Sequence, residues 1–587
     1  MNFESFKLKF NCSVEKIKNI KNFDFILALY FFLIAGIASM CKGVDRSFDV
    51  RNYHVYNPYA FLYDRYDVDI MPADIQSYFN PIMDIPYYLM LKHLNDFPYV
   101  VAFFQGTSYA FLMFMIYKIA ALVFKKYNRS ILIFLSVLVG STAALTLYNI
   151  GTLMHDIFVA DLVLVSIYFI LKSFDEFAWK NIVYSSFILG CICGLKLTTG
   201  SFGIAIILAL MFFVKHFKNP FKVWFTFVAI TFLGFLFTNG FWMIKLYSLY
   251  GNPFMPYFNN IFHSDYVNCA DVLKEDFRHI APHGIKEFLF YPFYFYQHLP
   301  VKGFEMNYQD FRFAAIYLVI VLNLLITRFV DSKVLKDKYG LNFVQISFLL
   351  LVWVFTYIIW INVSPTVRYL TPASALAGVI VFAFLIKCYA FLEQNIKSSI
   401  CFLNKIKEKI IFSTQYLNNQ KFAKYFKKEH VLLIFIIWAA LYLTLTTIEP
   451  VMLKRMPIYQ KALYVEKMDI PNGSVVITVS GAAMLIPFQN PNANYVYLNA
   501  SRFTQRRVHI LSRFVQKQIR EMVKDNPDKT YIMLDTYVYK RTMRNIKLSL
   551  ALDVGINFNK SDCKVIMTNI TNNKTKAAYA LCKAEIK

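Results

Sequence analysis

Four groups of side chains in this sequence are of the kinds that carry acid–base or phosphate chemistry. The first lies between Asp49 and Tyr88, in the run DVRNYHVYNPYAFLYDRYDVDIMPADIQSYFNPIMDIPYY. It holds six aspartates (Asp49, Asp64, Asp67, Asp69, Asp74, Asp84) among many tyrosines, with Arg51, His54 and Arg65. A carboxylate such as Asp49, five residues before His54, is able to take a proton from a hydroxyl nucleophile. The competing reading is a solvated or helix-capping aspartate. The second group is His155-Asp156, for which the competing reading is that Asp156 caps the following helix. The third is Lys196 in Gly194-Leu195-Lys196-Leu197-Thr198-Thr199-Gly200. A cation between two apolar spans is costly unless it is paired or reaches the interface, so it either snorkels or meets an anion such as a lipid phosphate. The fourth is Arg368-Tyr369, after Ser364-Pro365. Its guanidinium offers a planar fork to a phosphate or a carboxylate, and structural pairing with a loop aspartate is the plain alternative. A further run, Tyr250 to Phe262 (YGNPFMPYFNNIF), is punctuated by Asn-Pro and Met-Pro into a rigid turn. Asn252 in it is a candidate substrate contact, although aromatic density of this kind also suits a membrane-interface belt.

These groups are held between hydrophobic spans. The chain has 587 residues, 57% of them hydrophobic and 18% aromatic. Eleven windows lack or nearly lack charge and read as membrane helices: about 24–41, 99–117, 130–149, 157–171, 181–195, 200–214, 223–243, 312–330, 342–362, 369–387 and 431–448. The fourth to sixth are short, which leaves the count open by one or two. The first lacks a small-residue cleavage site and reads as an anchor. A span of roughly 20 residues at about 1.5 Å each covers the hydrocarbon thickness.

Lysines and arginines set the expected orientation. Lys7, Lys9, Lys16, Lys18 and Lys21 place the N-terminal tail in the cytoplasm. Every second turn then carries positive charge, ending with the 388–430 segment and its eight lysines. Eleven crossings put 43–98, 244–311 and 450–587 on the outside. All four chemical groups then fall on the outer side.

Residues 450–587 differ in kind. β-like runs at 474–479, 495–498, 531–534 and 564–568 alternate with an amphipathic stretch at 507–524, in which Ile510, Phe514 and Ile519 fall near helical spacing. The segment holds 22 lysines and arginines against nine acids. Its two cysteines, Cys563 and Cys582, are an expected disulfide in an exported domain. The expected architecture is a multi-pass α-helical membrane protein of about 11 transmembrane helices, residues 1–449, with a small C-terminal extracytoplasmic α/β domain, residues 450–587. No zinc spacing, Walker motif or glycine-rich nucleotide loop is present. The basic 388–430 segment reads as contact with anionic membrane lipid, with no nucleic acid as partner.

The DxxNYH…NP…D…PYY run, the YGNPFMPYFN run and the VRYLTP run, set in this layout, resemble the GT-C superfamily of membrane glycosyltransferases. That group includes protein O-mannosyltransferases, aminoarabinose transferases and oligosaccharyltransferases. The resemblance covers the first ten spans. It implies a polyprenyl-phosphate-linked sugar donor and a glycan or glycolipid acceptor, such as lipopolysaccharide or O-antigen, at the outer face of a bacterial inner membrane. By that resemblance Asp49 takes the catalytic-base position and Asp156 that of the second-loop acid, with His54 beside them. Lys196 and Arg368 are candidates for the donor phosphate, and Tyr369, Arg65 and Asn252 complete the substrate contacts. No cofactor is expected, and a divalent cation is left open.

A lipid-linked saccharide flippase or another transporter is the alternative from a different class. Such proteins usually show internal repeats and charge near the midplane. No convincing repeat is visible here. An O-antigen polymerase or ligase is a nearer alternative, marked more often by paired arginines in large outer loops.

Overall fold

The computed structural model describes residues 22–267, 281–282, 284–295, 309–407, 428–448, 455, 457–479, 481–497, 513–535, 546–547, 550–570 and 577–586. Its helices follow the hydrophobic spans: α1 Phe23–Lys42, α2 Pro98–Gln105, α3 Thr107–Val123, α4 Arg129–Ser141, α5 Asp156–Asp175, α6 Trp179–Leu195, α7 Gly200–Phe213, α8 Pro220–Tyr250, α9 Arg312–Ile326, α10 Phe343–Val363, α11 Ala377–Lys407 and α12 Lys428–Leu445. Among the described residues, eight helical stretches are long and apolar enough to cross a membrane, with α2 and α3 forming one of them. The apolar parts of α4, α6 and α12 are shorter. The protein is therefore an integral membrane protein, and of the eleven expected spans eight are long and apolar enough to cross by themselves.

Local chemistry explains the helix ends. The expected 130–149 span divides at Thr142, whose hydroxyl donates to the Leu138 carbonyl at 2.6 Å and accepts from Arg312 at 3.0 Å. α8 runs 31 residues from Pro220, tolerated in a first turn, to Tyr250 before Gly251 in the left-handed conformation. The 244–311 segment therefore leaves the helix only at Gly251. Against α6, α8 approaches so closely that a Cβ on Gly190 would meet the Thr231 carbonyl and one on Gly234 that of Phe187. Small residues permit such contact in lipid, where packing and interhelical hydrogen bonds drive association. Thr238 supplies one such bond, to the Cys191 carbonyl at 2.8 Å.

The C-terminal part is a mixed sheet. Strands β1 Val475–Val479, β2 Asn494–Tyr497, β3 Thr530–Asp535, β4 Cys563–Met567 and β5 Ala577–Lys583 lie in the order β2-β1-β3-β5-β4. β1 is parallel to β2 and β3, and β5 is antiparallel to β3 and β4. β1 reads VVITV and is buried throughout, as a strand covered on both faces must be. Helix α13, Arg513–Asp525, packs there through Val515, Ile519 and Val523, while Phe514 is exposed. The core-facing stripe is thus one residue away from the expected Phe514, and Ile510 lies outside the described residues. Cys563 and Cys582 pair across β4 and β5 and are disulfide-bonded, with Cα atoms 3.9 Å apart.

Residues 43–98 are not a loop in the ordinary sense. Val50, Tyr56, Tyr59 and Ile75 share one apolar core with Val475, Val476 and Tyr495. Ile70 extends the sheet beyond β2, its amide bonding Tyr495 and its carbonyl Tyr497, both at 2.9 Å. Tyr56, Tyr59, Tyr66, Tyr78 and Tyr87 of this segment are buried in that core.

Candidate active site

Helix ends create the site. Asp49 follows α1 by seven residues and enters a π-type turn, Val50–His54. Asp156 opens α5, placed there by His155 in a left-handed conformation at φ 58°. A non-glycine residue held so is uncommon and marks a position that the surroundings over-determine. Lys196 follows α6, and Arg368 lies in the 3-10 turn Val367–Leu370 before α11.

The fold brings these four together. Arg368 Nη1 lies 3.1 Å from Asp49 Oδ2 and 3.7 Å from Asp156 Oδ2. Lys196 Nζ lies 2.5 Å from Asp156 Oδ1 and donates to the Met154 carbonyl at 2.9 Å. Both cations stand over the Tyr369 ring, at 5.1 Å for Lys196 and 5.5 Å for Arg368. Asp49 is only 7% exposed, and its Oδ1 accepts from Gln76 at 3.3 Å. Asn52 fixes Gln76 by donating to its Oε1 at 2.6 Å. Burial acts to raise the Asp49 pKa, but the charges of Arg368, His54 and Lys196 outweigh it and hold the carboxyl below its ordinary range. Two carboxylates and two cations thus face one another in a single group.

A second group adjoins the first. Asp84 Oδ1 accepts from His54 Nδ1 and from His155 Nε2, each at 2.6 Å. Burial acts to raise the Asp84 pKa, yet the two imidazoles hold it low. Burial lowers that of His155 against the opposing pull of Asp84. His54 is 1% exposed, and its Nε2 is buried without a hydrogen-bond partner. The ligating atoms of His54, Asp84 and His155 all lie within 4.8 Å of one another. Imidazole and carboxylate donors at such spacing are of the kind that hold a divalent cation.

Not every expected contact joins the site. Arg65 is engaged elsewhere: it clamps Asp69 at 2.6 Å and donates to the Pro491 and Ala493 carbonyls at 2.5 and 2.7 Å. Its fork fastens the 43–98 segment to the start of β2. Asn252 is fully buried and closes its own turn, donating to Tyr257 and accepting from Phe254. Neither residue joins the group around Asp49, and each holds its own segment in place. Conversely, Gln76 and the hub role of Asp84 escaped the sequence reading. Asp84-Ile85-Pro86 looks like a helix start, and nothing local shows that two histidines converge on it.

No protein-family model and no curated protein sequence matches this chain. Two solved structures are similar in fold. One is ArnT from Cupriavidus metallidurans bound to undecaprenyl phosphate, at 11% identity and TM-score 0.48, covering 95% of this chain and 97% of that one. The other is the archaeal oligosaccharyltransferase AglB from Archaeoglobus fulgidus, in complex with an inhibitory peptide and a dolichol-phosphate, at 12% identity and TM-score 0.40, covering 90% of this chain and 71% of that one. Both are distant, so the chemistry is read from this chain's own side chains.

Proposed function

We propose that this protein is an inverting glycosyltransferase that moves a hexosyl or pentosyl group from a polyprenyl-phosphate donor to an acceptor hydroxyl on a surface glycan or glycolipid. The observation that carries this reading is the buried cluster of Asp49, Asp156, Lys196 and Arg368 where the helices meet the folded 43–98 segment. A carboxylate base beside two cations suits displacement of a phosphate by a hydroxyl. The motif resemblance to the GT-C group supports the same class.

In this mechanism the lipid tail of the donor lies among the helices and its phosphate meets Lys196 and Arg368. The incoming anion competes with Asp49 for Arg368. Asp49, freed of part of that ion pair, becomes the stronger base. The acceptor oxygen bonds to the anomeric carbon as the bond from that carbon to the phosphate oxygen breaks. The acceptor proton passes to Asp49, and polyprenyl phosphate leaves with the negative charge. Direct displacement inverts the anomeric centre, and one carboxylate base is sufficient. His54 and His155 keep Asp84 ionised at the edge of this group, where a divalent cation would find its ligands.

In this reading the protein sits in a bacterial inner membrane, and the lysine-rich turns support a cytoplasmic N-terminus with this site and the sheet on the periplasmic face. The deciding experiment uses the protein in nanodiscs with polyprenyl-phosphate sugars and isolated surface glycans. Transfer with inversion supports the proposal. Translocation of the lipid-linked sugar across proteoliposomes without transfer would replace it with a transport function.

A further inference from the structure

A cavity of about 700 Å³ opens between the 43–98 segment, the turn beyond α8 and helix α13. Its aromatic wall is a ladder. Tyr78 meets Tyr250 edge-on at 5.0 Å, and Tyr250 meets Tyr266 edge-on at 5.0 Å. Tyr266 continues the ladder to Phe514 at 5.6 Å. The ladder begins at the catalytic group, because Tyr78 ends the 3-10 turn Asp74–Tyr78 whose Gln76 holds Asp49.

Charge on the other wall runs against the rest of the molecule. The chain carries a net charge of +25. Yet Asp67, Asp69, Glu521 and Asp525 line this cavity, and among the described residues no lysine or arginine does. Asp69 is committed to Arg65, whereas Asp67 and Asp525 are exposed to the opening. Among the described residues Glu521 pairs with its helix neighbour Lys517, at 3.7 Å across an exposed surface. An anionic ligand is repelled here, and an alkyl chain would leave the carboxylates facing hydrocarbon. Aromatic faces with a few placed acceptors suit a ring that presents C–H groups on one side and hydroxyls at its rim. An ammonium group on such a ring gains both Coulomb and cation–π attraction.

We propose that the cavity lined by Tyr78, Tyr250 and Tyr266 opposite Asp67, Glu521 and Asp525 binds a neutral or amino-bearing saccharide, the acceptor strand of the transfer reaction. The word acceptor rests on the function proposed above; the binding site does not. Hydroxyls or ammonium groups donate to the carboxylates, the rings lie along the tyrosines, and the chain end is led past Gln76 to Asp49.

The test measures binding to the full chain in nanodiscs by calorimetry and saturation-transfer NMR, using a glucosamine trisaccharide, maltotriose and trigalacturonate. The glucosamine trisaccharide binds most tightly, maltotriose more weakly, and trigalacturonate not at all. The double variant Asp67→Asn/Asp525→Asn weakens the first by about tenfold, on the scale of one charge-assisted hydrogen bond. Tyr266→Ser weakens both uncharged and amino trisaccharides. Equal binding of trigalacturonate, absence of binding by either of the other two, or binding of trilysine in their place overturns the assignment. Normal transfer with an unaltered acceptor KM in the double variant removes the cavity from the reaction and leaves the glycosyltransferase reading intact. Saccharide binding in a protein that transfers nothing sustains the site and removes that reading.

Discussion

Arg312 and Arg368 each stand at a helix end beside aspartate, and they differ in what surrounds them. Arg312 and Asp310 are both 0% exposed. The Arg312 Nε, Nη1 and Nη2 donate to Val139, Asp310, Thr447 and Thr142, all within 3.0 Å. Asp310 Oδ2 accepts from the Ala144 amide at 2.9 Å. That pair ties α9 to the break after α4 and leaves nothing for a ligand. Arg368 instead shares one nitrogen between two carboxylates, at 3.1 and 3.7 Å, and a second cation faces the same acids. A closed network fixes structure. A cluster in which like partners can exchange is able to admit an anion, because an incoming phosphate replaces a carboxylate without leaving either cation unpaired.

Four substitutions separate these two kinds of site, from the largest effect to the smallest. Asp49→Asn preserves size and removes the base, so sugar transfer falls by about 10³-fold, within the range for a lost general base, while the protein stays folded. Near-normal transfer by a folded variant would remove Asp49 from that role. Arg312→Met leaves Asp310 buried and unpaired, at a cost of about 3–5 kcal/mol. Thermal unfolding in detergent should register that loss directly, and an unchanged midpoint would contradict the closed-network account. Lys196→Met or Arg368→Met should instead leave a folded protein whose affinity for polyprenyl phosphate drops by about 1.5–3 kcal/mol. Unaltered affinity in both would place the phosphate elsewhere.

The smallest effect concerns pH. His155 is held below its ordinary 6.5 by burial. The unfolded chain therefore takes up a proton that the folded protein refuses, and stability declines as the pH falls below about 6.5. Asp49 and Asp84 are held below the ordinary 3.8, so their contribution is full above that value and is lost only as the pH falls beyond it. The melting temperature should thus fall between about pH 7 and pH 5, and His155→Gln should flatten the change. An equal slope in the variant would assign the pH dependence to another group.

Hydropathy is a local property, and the local pattern in this sequence determined a great deal. Each of the eleven apolar windows overlaps a helix, although those at 99–117, 130–149 and 369–387 are broken within, and the runs after residue 474 become β1 to β4. The residue types also marked Asp49, Asp156, Lys196 and Arg368 as worth watching. β5 was missed, because AAYALCK carries little β-branched signal and is a strand only through its pairing with β3 and β4.

The partners of each charge were decided by tertiary structure alone. Arg65 and Arg368 look alike in sequence, each an arginine near tyrosine. One became a clasp between the 43–98 segment and the sheet, and the other entered the site, according to which helix ends and strand edges met them. Asp84 acquired two histidines from residues 30 and 71 positions away. Ion pairing acts over a few ångströms in space and is indifferent to distance along the chain. The sequence therefore determined which groups carry charge and which spans enter the membrane, and the packing of helix ends against a covered sheet decided which of those charges face one another.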